Sequence, residues 1–70
     1  MKRKIQYVVK YTNLNGESPQ MNDISTIETI RKVSASHGMI LEVAGEFAIV
    51  SNYNWKPMLL ARRISYDKNS

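Results

Sequence analysis

The sequence predicts a small α+β domain of two layers, in which one helix packs on a three- or four-stranded, mostly antiparallel sheet in the order β-α-β-β-β. Three observations predict this fold. Apolar residues alternate along residues 5–11 and 39–51, as strands require; they recur every third position across residues 24–33, as on a helix; and turn-forming residues separate these segments. With 70 residues, the chain has room for a single domain that spans residues 1–70.

The first strand is marked by apolar side chains at every second position: Ile5, Tyr7, Val9 and Tyr11. Turn-forming residues are concentrated in the next segment, from Asn13 to Pro19. Asn15 and Gly16 accept a positive φ, and Pro19 has no N–H to donate to a strand ladder. We therefore expect a loop between the strand and the helix.

The helix is predicted from about Asp23 to Ser36, because Ile24, Ile27, Ile30 and Val33 share one side of it. Ser25 and Glu28 have the spacing of a capping box, and Asp23 is an alternative N-cap. Gly38 suits the left-handed position that closes a helix.

Met39 to Ser51 predict two short strands joined near Ala44-Gly45-Glu46, and residues 52–57 predict a second turn. The segment from Met58 to Tyr66 leaves two interpretations open. Its apolar residues alternate as in a strand, yet Leu60, Ala61 and Ile64 also suit a helix. We favour the strand.

Apolar residues lie on both faces of the 39–50 hairpin, and one helix covers only one face of a sheet. Some of this surface is therefore expected to stay exposed unless a partner covers it. A homodimer or a protein target is one interpretation, and loops folded over the surface are the other.

The composition predicts no catalytic, metal-binding or cofactor-binding role. The absence of cysteine excludes thiolate metal sites and disulfides. The single histidine, His37, fits a cation at the end of the helix better than a ligand or base. Ser34 and Ser36 lack a nucleophile motif, and the three glycines are too far apart for a phosphate loop. We expect a protein that is not an enzyme.

No segment suits a membrane helix, since Glu42 and Glu46 interrupt the longest apolar run, residues 39–50. The basic start of the chain is followed by an apolar stretch that ends at Lys10, too short for a signal peptide. We expect a cytoplasmic protein with no membrane partner.

The net charge is +4, and it is unevenly placed: residues 1–10 sum to +4, residues 11–55 to −3 and residues 56–70 to +3. Basic ends predict an anionic partner if the ends lie together, although solvated charge that keeps the protein soluble is an equal alternative. The candidate partner-binding residues combine these charges with the aromatic residues of the second turn: Lys4, Lys10, Tyr53, Trp55, Lys56, Arg62 and Arg63. For Trp55, a role at the edge of the core is the alternative.

Strand alternation also predicts where these cations point. Lys4 and Lys10 are expected on the face opposite Ile5 and Tyr7, away from the helix. Arg62 and Arg63 are expected on opposite faces, so that one of them joins the basic patch.

The layout resembles that of several small phage-encoded host-takeover and anti-defence proteins, including small anti-CRISPR inhibitors. The segments that carry the resemblance are Ile5-Gln-Tyr-Val-Val-Lys10, Asp23 to Ser36, and Met39 to Val43. The resemblance implies a non-enzymatic inhibitor that occupies a surface needed by the host machinery. Many such inhibitors are acidic mimics of nucleic acid, and this basic chain departs from them, which implies acidic protein or nucleic acid as the target.

The sequence therefore predicts a small non-catalytic inhibitor or adaptor that occupies the surface of a protein or a nucleic-acid-bearing complex. The alternative is a domain that binds DNA or RNA directly through its basic ends.

Overall fold

A computed structural model describes residues 5–15 and 18–64 of the chain. In this part the chain forms, in order, β1 (Gln6–Thr12), β2 (Ile24–Thr26), α1 (Ile27–Ser36), β3 (Ile40–Ala44), β4 (Phe47–Ser51) and β5 (Pro57–Arg63). The predicted α+β class is confirmed, as are the first strand, the hairpin and the choice of a strand for the last segment.

All neighbouring strands are antiparallel, and the sheet has the order β2-β1-β5-β4-β3. Strands β3, β4 and β5 follow one another as a meander. The first strand then pairs with the last, so β5 lies at the centre, and the Ile64 N–H donates to the Gln6 carbonyl at 2.9 Å. The two ends of the described chain therefore meet at one end of the sheet.

The predicted start of the helix near Asp23 is wrong, because α1 begins at Ile27. Residues 24–26 form β2 instead, where Ile24 pairs with Val8. Isoleucine and threonine are β-branched and favour an extended backbone when a neighbouring strand offers a ladder. This short edge strand brings the sheet to five strands.

The predicted capping box of Ser25 and Glu28 is also not formed. Thr26 is the N-cap, and its side-chain oxygen accepts from the Thr29 N–H at 3.3 Å. Asp23 closes the preceding turn instead, where its carboxylate accepts from the Gln20 N–H at 2.9 Å. Thr26 is the N-cap instead of Ser25 or Asp23 because residues 24–26 form strand β2, so the helix begins only at Ile27.

The C-terminal end of the helix follows the prediction. Gly38 takes a positive φ of 66° and donates to the Ala35 carbonyl at 3.1 Å, while the Met39 N–H donates to the Ser34 carbonyl at 2.8 Å. This pair of bonds is a Schellman motif, which directs the chain from the helix into β3. The buried Ser34 hydroxyl donates back to the Met39 carbonyl at 3.0 Å.

The core lies between α1 and one side of the sheet, which we call the covered face. The buried side chains of the covered face come from every second position of the strands, and Ile30 of α1 packs against them. The strand residues are Tyr7, Val9, Ala48, Val50, Leu59 and Ala61. Leu59 is completely buried at the centre of the sheet. Burying a side chain of this size contributes about 2–3 kcal/mol, so the covered face accounts for most of the packing stability.

Within the described residues the helix α1 spans ten residues, and no helix there is long and apolar enough to cross a bilayer.

Candidate functional site

The opposite side of the sheet, which we call the open face, carries apolar side chains that no helix of the described part of the chain covers. Cross-strand register arranges them in two rows. One row runs across all five strands: Ile24, Val8, Arg62, Phe47 and Ala44. The second crosses four strands: Tyr11, Leu60, Ile49 and Glu42.

The side chains at the rims of the open face are the most accessible. Ile24 is 59% exposed on the β2 edge, and Tyr11 and Phe47 are also exposed. Val8, Ile49 and Leu60 are half-buried, since each is flanked by neighbours within the sheet. The exposed apolar surface that the hairpin pattern predicts is therefore present, and it continues beyond the hairpin onto β5, β1 and β2.

Arg62 lies within the first row, between Val8 and Phe47. Its Nε donates to the Glu46 Oε1 at 2.8 Å. This hydrogen bond, together with the charge of Arg62, lowers the pKa of the Glu46 carboxyl. Both side chains are about half exposed, so the pair adds little to stability. Its effect is to neutralise the one arginine that residues 5–15 and 18–64 place on the open face.

Arg63 lies on the other side of β5, in alternation with Leu59 and Ala61, so the prediction that the two arginines point to opposite faces is confirmed. Lys10 is exposed, but it lies at a bulge between Val9 and Tyr11 where the β1–β5 register shifts. Lys4 lies outside the described residues, so its predicted place on the open face stays a prediction.

The loop between β4 and β5 presents the predicted aromatic residues. Tyr53 is 73% exposed and Trp55 is 63% exposed, so neither lies at the edge of the core. Lys56 is exposed beside them. We call residues 52–56 the aromatic loop.

Asn52 holds the aromatic loop in one shape. Its side-chain oxygen accepts from the backbone N–H groups of Asn54 at 2.8 Å and Lys56 at 3.0 Å. Its own N–H donates to the Lys56 carbonyl at 3.0 Å, and its carbonyl accepts from the Trp55 N–H at 2.9 Å. Four hydrogen bonds in five residues present the two rings on a preorganised support.

Trp55 has a φ of 63°, in the left-handed region that favours glycine. A bulky residue there costs roughly 1–2 kcal/mol of backbone strain. Strain of this kind is found where surrounding bonds enforce it, and it is frequent at recognition sites. The hydrogen bonds of Asn52 provide that enforcement.

The predicted site residues do not form one surface. The aromatic loop lies at one end of β5, and Arg62 and Arg63 lie at the other, roughly 20 Å away along the strand. The structure instead brings together the open-face residues, which the sequence analysis did not assign to the site: Tyr11, Ile24, Phe47, Ile49 and Leu60. For Phe47 and Ile49 the sequence signal was the apolar pattern on both faces of the hairpin, which does not include Tyr11, Ile24 or Leu60.

No protein-family model, curated protein or solved structure matches this chain.

His37 is the C-cap of α1 and has a structural environment. Its Nδ1 contacts the Val33 carbonyl at 2.9 Å, and its Nε2 contacts the Asn15 carbonyl at 3.0 Å. A ring that donates to two carbonyls must carry both protons. The bond to Asn15, and then that to Val33, raises the pKa of His37. When protonated, the ring can donate to both carbonyls and so link the helix to the loop after β1.

Within residues 5–15 and 18–64, no cluster of three histidine, aspartate or glutamate side chains has the arrangement of a metal site. The accessible features of this part are an apolar sheet face, a rigid aromatic loop and dispersed cations. These features suit binding to a macromolecule.

Proposed function

We propose that this chain is a small non-catalytic binding protein, of the inhibitor or adaptor type, that covers a surface of a partner protein with its open face. The observation that carries the proposal is the pair of cross-strand rows on the open face, which extend apolar surface from β2 to β4 with no element of the described chain above it.

The size of this face supports a contact role. Five strands spaced about 4.8 Å apart, and about five residues long, give a projected area on the order of 400 Å². This area includes the charged residues Arg62 and Glu42, and the largest apolar patch of a small protein is commonly of about this size and often functional. A standard interface buries about 800 Å² on each partner, which is more than the open face provides. A partner that covers the open face would therefore extend past it, and the aromatic loop lies at one end of the same strands.

The charged residues around the open face indicate which kind of partner surface would be complementary to it. Lys10, Lys56 and Arg63 are exposed around the sheet, while Glu46 neutralises Arg62 within the open face. An apolar surface with an acidic rim is complementary to this arrangement. The small phage-encoded inhibitors that this layout resembles typically act by occupying a surface that the host machinery needs, which is why we propose the inhibitor type.

Leu60 at the centre of the open face provides the test. Leu60→Lys places a charge in the middle of the second row, and Met21→Lys is the matched control at an exposed apolar residue in the loop before β2. We expect the wild type and Met21→Lys to bind a hydrophobic dye, or to form a dimer by light scattering at tens of micromolar, and Leu60→Lys to do neither. Affinity capture from a lysate of the native host should follow the same order.

Two outcomes contradict the proposal. One is a wild-type monomer that binds no dye. The other is a captured protein that Leu60→Lys retains as well as the wild type does.

Direct binding of DNA or RNA is the second candidate, and it is favoured by Lys56 next to the two exposed rings of Tyr53 and Trp55. Rings stack on bases, and cations neutralise phosphates. We expect the log affinity for duplex DNA to fall with log salt with a slope near 0.9 for each phosphate contacted. Absence of a mobility shift with duplex DNA, single-stranded DNA and RNA at low salt would exclude this candidate.

A further inference from the structure

The two edges of the sheet differ in length and regularity. β2 is an edge strand of three residues, which limits its pairing with another chain. β3, at the other edge, has five residues, contains no proline or lysine, and pairs with β4 without a register shift. Proteins usually protect such edges with proline, lysine or a bulge. β3 has none of these.

The register shows which backbone groups of β3 face outward. Ala44 and Phe47 flank the two-residue turn at Gly45-Glu46, and the residues that flank such a turn exchange both hydrogen bonds. By alternation Glu42 and Ile40 also bond to β4.

The N–H and C=O groups of Leu41 and Val43 therefore point away from the sheet. Among residues 5–15 and 18–64, no group outside the sheet forms a hydrogen bond with either residue. The side chain of Val43 is half exposed, whereas that of Leu41 packs against the core. The backbone groups of a five-residue strand are thus open to another strand.

A second copy of the chain is a poor occupant. The antiparallel register that pairs all five residues of β3 with those of another β3 places Glu42 opposite Glu42 of the other copy. Two like charges at this cross-strand position destabilise the pair. The net charge of +4 on each chain adds a further repulsion.

We infer that β3 is a site for β-strand addition, and that it takes an extended segment of a partner protein with a lysine or arginine opposite Glu42. The backbone of that segment bonds to Leu41 and Val43. Its side chains next to those two residues are apolar, because they continue the covered face. The inference goes beyond the proposed function, because it rests on the outward backbone groups of Leu41 and Val43 and not on the apolar side chains of the open face. Glu42 borders that face, so Val43→Pro tests this inference and Leu60→Lys tests the proposed function.

The test uses amide hydrogen exchange and NMR titration of the full chain. The probe is a capped pentapeptide, Thr-Val-Lys-Val-Thr, and the control peptide has glutamate at its centre. In the free protein we expect the amides of Leu41 and Val43 to exchange much faster than those of Glu42 and Ala44. The lysine peptide should slow them and shift their resonances, with an affinity about three- to ten-fold higher than that of the glutamate peptide.

Variants at Val43 and Glu42 complete the design. Val43→Pro removes one outward N–H and no bond to β4, so it should abolish the response to the peptide, while Val43→Thr should keep it. Glu42→Lys should reverse the preference between the two peptides, which keeps the test decisive if the proline variant does not fold.

Three results would overturn the inference. The first is protection of the Leu41 and Val43 amides in the free monomer, because the edge would already be occupied. The second is protection that grows with protein concentration alone, which would identify a second copy as the occupant. The third is peptide binding that Val43→Pro leaves intact, or that shifts Val8 and Leu60 of the open face and leaves Leu41 and Val43 unchanged.

Discussion

The covered face and the open face are built from alternate residues of the same strands, yet they differ in burial. Leu59 and Leu60 are adjacent on β5, and the first is completely buried while the second is half-buried. The difference is set by α1, which lies over one face. Apolar composition alone therefore does not distinguish residues that stabilise this fold from residues available to a partner.

The largest expected effect comes from this pair of leucines. Leu59→Ala should lower the free energy of unfolding by about 2–5 kcal/mol, because it leaves a cavity under the helix. Leu60→Ala should cost less than about half as much, since part of that side chain is already in water. Urea denaturation at low micromolar concentration measures both values, and equal losses would show that the two faces are equally buried.

Trp55 extends the comparison to the aromatic loop. Trp55→Gly should raise the free energy of unfolding by roughly 0.5–1 kcal/mol, because glycine adopts the left-handed conformation without strain. Trp55→Ala is the matched control, which removes the ring and keeps the strain. Thermal unfolding compares the variants, and a loss of stability in Trp55→Gly would mean that the ring contributes to packing.

The helix side should show a dependence on pH through His37. Its pKa is raised in the folded state, so protonation favours folding. The stabilisation is complete below the ordinary histidine pKa of about 6.5 and is lost as the pH rises through the folded value. The difference in melting temperature between the wild type and His37→Gln should shrink from pH 5.5 to 8.5. A constant difference would contradict the two-carbonyl geometry.

The open side should show a smaller effect of the opposite sign through Glu46. Its pKa is lowered by Arg62, so this contribution is present above the ordinary carboxyl pKa and is lost as the pH falls through the folded value. Because the pair is exposed, salt should weaken it. Melting curves of Glu46→Gln between pH 3 and 7, at low and high salt, test this. A loss that salt does not change would show that the pair is not electrostatic.

Local pattern predicted most of the fold. The period of two at Tyr7 and Val9, the glycine at position 38 and the glycine turn at position 45 each have a local physical cause, and each element is present. The predicted period fails at Tyr11, because the bulge after Val9 places that residue on the open face. The sequence did not predict β2, because Ile24 lies three residues before Ile27 and this spacing suits a helix. Only the pairing with Val8, 16 residues earlier in the chain, decides for a strand.

The candidate site was less predictable, because it depends on which face the helix covers. In the hairpin both sets of alternating residues are apolar, so its sequence does not show that Phe47 and Ile49 face away from the helix. The direction of Lys10 depends on the bulge in β1, and the pairing of Arg62 with Glu46 depends on the turn lying beside the end of β5. Each is a tertiary relation between distant segments.

The bond between Ile64 and Gln6 has a consequence for the connectivity of the chain. It joins segments that are almost as far apart in sequence as the described chain permits, so β1 can dock only after a long loop has closed. A peptide linker between the two ends would make β1–β5 a local hairpin, and the lower contact order should speed folding. A circular permutant opened at the Gly45-Glu46 turn would keep the aromatic loop whole, whereas one opened between residues 52 and 56 would cut it while leaving all five strands intact.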